Sequence, residues 1–282
     1  MELGIFAKTF VRPSLEEVFQ AVAGQGLRVV QFNFACAGLP SLPDRIEPSL
    51  LDRIRRATTG HGVSIAAVSG TFNLIHPDPR QREEGLRRLG VLAAACARLG
   101  ASVITLCTGT RDPEDMWRGH PENRDPASWR DLTRSMSEAL RIAEDQNVVL
   151  AVEPEISNVV DSARAARRLL DEMKSSRLRV ILDPANLVSS GNGGRDGMSS
   201  VLEEAFDLVG AQIILCHAKE LRPDGQAGNL RLGAGVLDWD DYLSRLNRAG
   251  FSGALVMHGF EEKDVPSSVT FLRGKWASLV RL

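Results

Sequence analysis

The sequence predicts one α/β domain, a (β/α)8 TIM barrel that takes in residues 1–282. Three observations predict this fold. Eight strand-like segments alternate with helical ones, and no change of composition marks a linker between two domains. The later strand segments are continuous apolar runs, which is typical of parallel strands covered on both faces. Four of those runs end in acidic or histidine side chains, and α/β barrels carry their chemistry at the carboxyl ends of their strands.

The first half of the chain contains three strand-helix units and a fourth strand. Strands are predicted over residues 3–6, 27–32, 63–68 and 101–106, and helices over 15–23, 48–59 and 80–99. Ser14 precedes the first helix and Glu17 follows three residues later, which is the spacing of a capping box. The other two helices repeat apolar residues at three- and four-residue intervals, so each presents an apolar face to the strands.

A long connection, residues 107–126, separates the fourth strand from its helix over 128–146. A connection of this length within a compact domain is more often functional than idle. Trp117 and His120 lie in this connection, and they could cover a bound polyol. The alternative is that the tryptophan packs the connection onto the barrel.

The second half of the chain repeats one pattern four times. Strands are predicted over 148–152, 179–182, 211–216 and 254–257, and helices follow them over 162–173, 198–208, 239–249 and 267–279. The strands end respectively in Glu153-Pro154-Glu155, Asp183-Pro184-Ala185-Asn186, His217-Ala218-Lys219 and His258-Gly259. One such ending could arise by chance, but four in succession predict a shared site at one mouth of the barrel.

Glu153, Asp183, His217 and His258 form the predicted metal-binding set. Because side chains alternate across a strand, we expect His217 to face the barrel axis and Cys216 to face the outer helices. Carboxylates mixed with imidazoles suit Mn²⁺, Zn²⁺, Co²⁺ or Fe²⁺ better than they suit an all-oxygen calcium site. A single divalent ion is the simplest occupant.

Each of these four residues also has a structural interpretation. A carboxylate at the end of a buried strand needs a partner, and Lys219 could be that partner for Glu153. Asp183, which precedes a proline, could begin a turn. His217 and His258 could be hydrogen-bonded residues of the rim or of a loop.

Nine further residues are predicted to contact the substrate, namely Asn33, Asn73, His76, Trp117, His120, Glu155, Asn186, Lys219 and Arg231. Amides and imidazoles on the rim can bind hydroxyl groups, although asparagines that follow a strand also form turns. Arg231 could hold an anionic group of the substrate or be a solvated surface residue. The glycine-rich residues 189–195 could cradle a phosphate, but they lack the phosphate-loop spacing, and a mobile loop is the alternative.

The composition limits the partners and the location of the protein. A net charge of -2, with 43% hydrophobic and 25% charged residues, gives no basic surface for nucleic acid. No apolar stretch approaches the roughly 18 residues of a membrane span, and no basic leader precedes the first strand, so we expect a cytoplasmic protein without membrane contact. The four cysteines form no CxxC pair and are expected to be buried thiols.

Four motifs carry a resemblance to a known family. They are Val152-Glu153-Pro154, Leu182-Asp183-Pro184, Cys216-His217-Ala218-Lys219 and Gly233-Ala234-Gly235-Val236-Leu237-Asp238-Trp239. Together they resemble the sugar isomerase/epimerase family with the xylose-isomerase-like barrel, which also includes inosose dehydratases, hydroxypyruvate isomerases and type IV endonucleases. The resemblance covers essentially the whole chain. It implies one divalent metal ion, with manganese as the first expectation and zinc, cobalt, iron or magnesium as alternatives.

This chain departs from the family pattern at two positions. In the family a glutamate ends strand eight, and this chain has His258 there. The family also commonly has a histidine three residues after the strand-six aspartate, and this chain has Asn186 there. Both changes fall on groups that touch metal or substrate in the family.

The resemblance implies an isomerase or epimerase of a sugar, sugar phosphate or polyol, which removes a proton next to a carbonyl through a metal-stabilised enediolate. Glu153 would be both a ligand and the candidate base. His258 could be a second base only if its nitrogen is not bound to metal. With one base, an inosose-dehydratase-like lyase is an equal alternative, and a sugar-binding barrel without activity is another.

The type IV endonuclease branch binds three zinc ions through many histidines. The five histidines of this chain, with Asn186 in place of one, disfavour that activity. We therefore expect a small sugar or polyol as the partner, with no nucleic acid and no membrane. Association into a homo-oligomer stays open, because no sequence feature indicates an interface.

Overall fold

The structure, a computed structural model, describes residues 1–188 and 195–280. The strands are β1 (Glu2–Phe6), β2 (Val29–Phe32), β3 (Ser64–Ser69), β4 (Val103–Leu106), β5 (Val149–Val152), β6 (Leu178–Leu182), β7 (Ile213–Ala218) and β8 (Ala254–Met257). All neighbouring strands pair in parallel and in chain order, and β8 pairs with β1 to close the barrel. The predicted (β/α)8 TIM barrel is confirmed.

The helices form a ring outside the barrel, one after each strand. They are α1 (Leu15–Gly24), α2 (Pro48–Gly60), α3 (Pro79–Leu99), α4 (Pro126–Asp145), α5 (Ala163–Met173), α6 (Arg195–Val209), α7 (Trp239–Arg248) and α8 (Val265–Val280). Their bounds differ from the predicted ones by three residues at most. Among the helices of the described chain, none contains a stretch that is long and apolar enough to cross a membrane.

Local sequence signals set the ends of these helices. Ser14 accepts a hydrogen bond from the Glu17 amide at 3.3 Å, and it begins α1 as predicted. Asp78 begins α3 in the same way, because its carboxylate accepts from the Arg80 amide at 2.9 Å. Gly100 ends α3 at φ 70°, a left-handed conformation that glycine adopts without steric cost.

The seventh strand lies two residues further along the chain than predicted. Gly210–Gln212 form a short 3-10 turn after α6, so β7 begins at Ile213 rather than at residue 211. Its pairing with β8 continues to Ala218, opposite Met257. His217 therefore lies within a strand whose backbone is held on both sides.

Apolar side chains form two cores on opposite sides of the strands. The larger core lies between strands and helices, and Cys216 belongs to it, as predicted. The smaller core fills the barrel interior and consists of Val29, Ala67, Val103, Ala151, Ile181, Leu215, Ala254 and Val256. These side chains are buried, so the barrel below its mouth is a packed core and not a channel.

Candidate active site

A layer of polar side chains lies directly above the apolar core of the barrel. Each member follows an inner apolar residue of its strand by two positions, so the alternation of the strand turns it toward the axis. The layer consists of Gln31, Ser69, Thr105, Glu153, Asp183, His217 and His258. Phe6 of β1 completes the ring of eight strands and packs against both imidazoles, with 5.3 and 4.6 Å between ring centroids. The carboxyl end of the barrel thus brings ionisable groups together above an apolar floor.

Asp183, His217 and His258 form a group that could hold a metal ion. One oxygen of the carboxylate and one nitrogen of each imidazole all lie within 4.8 Å of one another. His258 Nε2 is 3.1 Å from Asp183 Oδ2, and His217 Nδ1 is 3.9 Å from that oxygen. The other oxygen of Asp183 accepts from the Ala185 amide at 3.0 Å, so this residue both begins a turn and faces the site.

Glu153 lies beside this group rather than within it. Its Oε1 accepts a hydrogen bond from Asn186 Nδ2 at 2.6 Å and faces His217 Nδ1 at 3.2 Å. Its Oε2 makes no hydrogen bond to any residue that the structure describes. Among the described residues, the side chain is held through this one oxygen.

Lys219 places a positive charge among these carboxylates. Its Nζ lies 3.3 Å from Asp183 Oδ2 and donates a hydrogen bond to Asn186 Oδ1. Burial lowers the pKa of Lys219, but Asp183, Glu153 and Glu155 raise it more, so the net pKa lies above its usual value. The ammonium therefore stays charged at neutral pH.

The protonation states of Glu155 and His258 follow from burial and from neighbouring charge. Burial raises the pKa of Glu155 to about 7, with the charges of Glu153 and Asp183 adding to the shift and Lys219 opposing it. Burial and the adjacent His217 lower the pKa of His258 to about 4, so its imidazole is neutral at pH 7.

Asp183 shifts in the opposite direction from Glu155. Burial opposes its ionisation, but Lys219 and the hydrogen bond with His258 outweigh burial and hold the pKa of Asp183 well below its usual range. Two carboxylates, Glu153 and Asp183, then lie near one ammonium in a buried site, so Lys219 alone does not balance their negative charge. A mixed oxygen and nitrogen donor set with surplus negative charge fits a single divalent cation.

Two cavities flank the group of ligands. One, of about 570 Å³, is lined by His258, Phe6 and Asn229, and the other, of about 440 Å³, is lined by Glu155 and Asn186. The loop after β7 runs between the two cavities. Its Asn229 amide donates a hydrogen bond to Gly259 O at 2.5 Å, next to the aliphatic part of the Lys219 side chain. A substrate therefore has an approach on each side of this loop.

Glu220 shapes the loop, and the sequence analysis did not single it out. Its buried carboxylate accepts hydrogen bonds from Trp239 Nε1 at 2.9 Å and from the Gly233 amide at 2.6 Å. The backbone passes so close that a Cβ on Gly235 would lie 2.1 Å from Leu221 O. This explains Gly235 of the motif in structural terms.

Three predicted substrate residues are used to form turns. Asn33 Oδ1 accepts from the Ala35 amide at 2.9 Å. Asn73 joins two loops, since its Nδ2 donates to Thr110 O at 2.7 Å. His76 contacts Pro113 O through Nε2 at 3.1 Å and accepts from a nearby amide through Nδ1. Backbone groups thus engage at least one polar atom of each of the three, as the turn-forming alternative expects.

The other predicted substrate residues divide into two groups. Glu155, Asn186 and Lys219 lie at the site, as described above. Trp117 is 53% exposed on the long connection. His120 caps a short turn and lines a separate cavity of about 980 Å³. Arg231 is exposed, and within the described chain it donates a hydrogen bond only to the carbonyl of its neighbour, as the surface alternative predicts. The glycine-rich residues 189–194 lie outside the described residues.

Gln31, Ser69 and Thr105 are members of the polar layer that the sequence analysis missed. Gln31 is buried, and its amide forms hydrogen bonds with His217 and with the hydroxyls of Ser69 and Thr105. The signal that could have identified them is positional. Each occurs two residues after an inward apolar residue, as Glu153 does after Ala151.

Comparisons with known proteins agree with this fold. A sequence profile of the family described as xylose isomerase-like TIM barrel matches residues 19–275. A xylose isomerase domain protein from Planctomyces limnophilus is 18% identical with a TM-score of 0.77, over 100% of this chain and 98% of that chain. The 3-keto-D-glucoside 4-epimerase of E. coli, in its apo form, is 17% identical with a TM-score of 0.74, over 97% and 99%.

A third solved structure, D-psicose 3-epimerase with D-tagatose from Clostridium cellulolyticum H10, is 16% identical to this chain with a TM-score of 0.75, over 98% of this chain and 99% of that chain. All three similarities extend over nearly the whole of both chains. At these identities the likeness is one of fold.

Proposed function

This chain belongs to the xylose isomerase-like TIM barrel family, and on that premise we propose that it is a divalent-metal-dependent isomerase or epimerase of a small sugar or polyol. The observation that carries the proposal is the grouping of Asp183, His217 and His258 beside the carboxylate of Glu153, which the described residues hold through one oxygen. A Lewis acid next to a base is one arrangement that promotes proton removal beside a carbonyl.

Asp183, His217 and His258 are proposed to hold the cation. When bound, the cation would polarise the carbonyl and a neighbouring hydroxyl of the substrate and so supply Lewis-acid chemistry. Two of the three donors are imidazole nitrogens, which favours a transition-metal ion over magnesium or calcium. This assignment resolves the choice left open for His258, because a nitrogen that binds metal has no lone pair with which to accept a proton.

Glu153 is proposed to be the base. Asn186 holds its Oε1, so Oε2 is the atom that would take the proton from the carbon beside the carbonyl. Negative charge then develops on the substrate oxygens as the enediolate forms. The largely buried ammonium of Lys219 lies within the same group and can stabilise that charge.

The number of bases bears on the type of reaction. With His258 in the ligand set, Glu153 is the one unliganded carboxylate of the polar layer. Glu155 is a nearby group with a pKa of about 7 that can give or take a proton. One base with a separate acid suits an aldose-ketose isomerase or a dehydratase as well as an epimerase, so an inosose-dehydratase-like lyase is the second candidate.

Metal analysis combined with solvent proton exchange tests this proposal. We expect about one transition-metal ion per chain in the purified protein and in Glu153→Gln, and loss of the ion in Asp183→Ala. With a panel of ketoses, aldoses and inososes in D₂O, the wild type should incorporate deuterium beside the carbonyl of its substrate. Glu153→Gln should slow that exchange by about 10²- to 10⁴-fold, the usual contribution of a general base.

A matched control is Glu83→Gln, which changes an exposed carboxylate on α3 and should alter neither metal content nor exchange. Near-normal exchange in Glu153→Gln would remove Glu153 from the mechanism. A wild-type protein that retains no metal after purification in metal-supplemented buffer would contradict the proposal as a whole.

A further inference from the structure

Gln31 connects the polar layer on one side of the barrel to the ligand group on the other. It lies on β2 and is 3% exposed. Its Nε2 donates hydrogen bonds to Ser69 Oγ and Thr105 Oγ1, both at 3.1 Å. Its Oε1 lies 3.0 Å from His217 Nε2. All the polar atoms of this buried amide are therefore engaged.

These contacts determine which nitrogen of His217 carries hydrogen. An amide oxygen can only accept a hydrogen bond, so His217 Nε2 must donate. A neutral imidazole has one N–H group, and Nδ1 is then left with an unshared electron pair. In this arrangement two hydroxyls accept from the Gln31 amide nitrogen, and the amide oxygen accepts from the imidazole.

The second nitrogen faces groups that cannot donate to it. His217 Nδ1 lies 3.2 Å from Glu153 Oε1 and 3.9 Å from Asp183 Oδ2. Both oxygens are carboxylate acceptors, so neither can donate to Nδ1. The electron pair of Nδ1 is then a buried acceptor without a donor, which is costly, and a cation beside it removes that cost.

We propose that Gln31 is a positioning residue for the metal centre: it holds His217 in the Nε2–H tautomer and so presents Nδ1 to the cation. This inference rests on the proposed function, since it assigns the cation to the same site. Gln31 acts through His217 and does not touch the substrate. A group that orients a ligating histidine through its other ring nitrogen typically changes metal affinity by about 10- to 100-fold.

The tautomer of His217 can be measured directly without metal or turnover. Long-range ¹H–¹⁵N correlation spectra of chelator-treated, ¹⁵N-histidine-labelled protein distinguish a nitrogen that carries hydrogen from one that does not. Signals of His217 are identified by their loss in His217→Gln. We expect Nε2 to carry the hydrogen in the wild type. Hydrogen on Nδ1 instead would mean that the Gln31 amide is turned over and donates to His217, and the proposal would be wrong.

Variants of Gln31 supply the second test. Gln31→Met keeps the shape of the side chain and removes the acceptor, so zinc affinity, measured by competition with a chromophoric chelator, should fall about 10- to 100-fold. Gln31→Glu keeps an accepting oxygen and should bind zinc within a few-fold of the wild type. Gln20→Met makes the same change on the exposed face of α1 and should have no effect.

The outcomes separate this inference from the proposed function. Wild-type zinc affinity in a folded Gln31→Met, with folding checked by circular dichroism, would overturn the role of Gln31. If Gln31→Met does not fold, the tautomer of the wild type still decides. If neither the wild type nor any variant binds zinc, but His217 carries hydrogen on Nε2, the proposed metal function fails while the orienting contact of Gln31 is confirmed.

Discussion

Glu155 should make the metal-free protein less stable as the pH rises. Its pKa is raised from 4.5 to about 7, so between these values the folded chain binds a proton that the unfolded chain has lost. Stability from this group is complete below pH 4.5 and disappears as the pH rises through 7. At 1.36 kcal/mol per pKa unit the full effect is about 3 kcal/mol, of which about 2 kcal/mol falls between pH 5.5 and 8. Because the side chain is only half-buried, these are upper values.

His258 acts in the opposite direction over part of this range. Its pKa is lowered to about 4, so the unfolded chain binds the additional proton between pH 4 and 6.5, and stability from this group rises with pH. The two effects partly cancel in the wild type. The contribution of Glu155 is therefore measured as a difference between variants and not from the wild-type curve alone.

Urea unfolding of chelator-treated wild type and Glu155→Gln at pH 5.5 and pH 8 isolates this contribution. The free energy of unfolding of the wild type should fall by about 2 kcal/mol more than that of Glu155→Gln over this interval. Glu83→Gln, which alters an exposed carboxylate, should follow the wild type. Equal pH dependence in wild type and Glu155→Gln would show that Glu155 titrates normally, and the burial assigned to it would then be wrong.

Two further predictions concern the ligand set and the loop. His258→Gln should lose metal together with activity, with affinity in the chelator assay lower by about 10- to 100-fold or more; retained metal with lost activity would assign His258 as a base instead. Gly235→Ala should reduce the free energy of unfolding by about 2 kcal/mol or more, because its Cβ would lie 2.1 Å from Leu221 O. Gly90→Ala, in α3, should instead increase the free energy of unfolding by about 0.5–1 kcal/mol, because a Cβ on Gly90 would meet nothing within 4 Å. Equal urea midpoints for these two alanine variants would contradict the packing described for the loop.

The barrel could be predicted from the sequence because apolar runs and helical periodicity recur eight times with little interruption. The ligand group could be predicted because acidic and histidine side chains are rare at the ends of buried strands. His258 lies with Asp183 and His217, as predicted, and Glu153 lies beside them. Manganese, the cytoplasmic location and a homo-oligomer stay predictions.

What could not be predicted depends on where backbone groups come to lie. Asn33 and Asn73 carry amides that suit a sugar hydroxyl or a turn equally well, and the path of each loop decided in favour of the turn. Gln31 is an ordinary polar residue within its strand, and nothing near it in sequence indicates a contact with His217. Its importance becomes visible only when the strands are placed side by side.

The hydrogen bond between Gln31 and His217 joins residues that are 186 positions apart. The proposed ligands Asp183, His217 and His258 all come from the second half of the chain, whereas Gln31 and the hydroxyls that it contacts come from the first half. Contacts this distant in sequence form late, because a long loop must close before they can stabilise anything. A folding intermediate built from the second half alone would therefore gather the donors but leave one imidazole free to turn, and tight metal capture would begin only when the two halves meet.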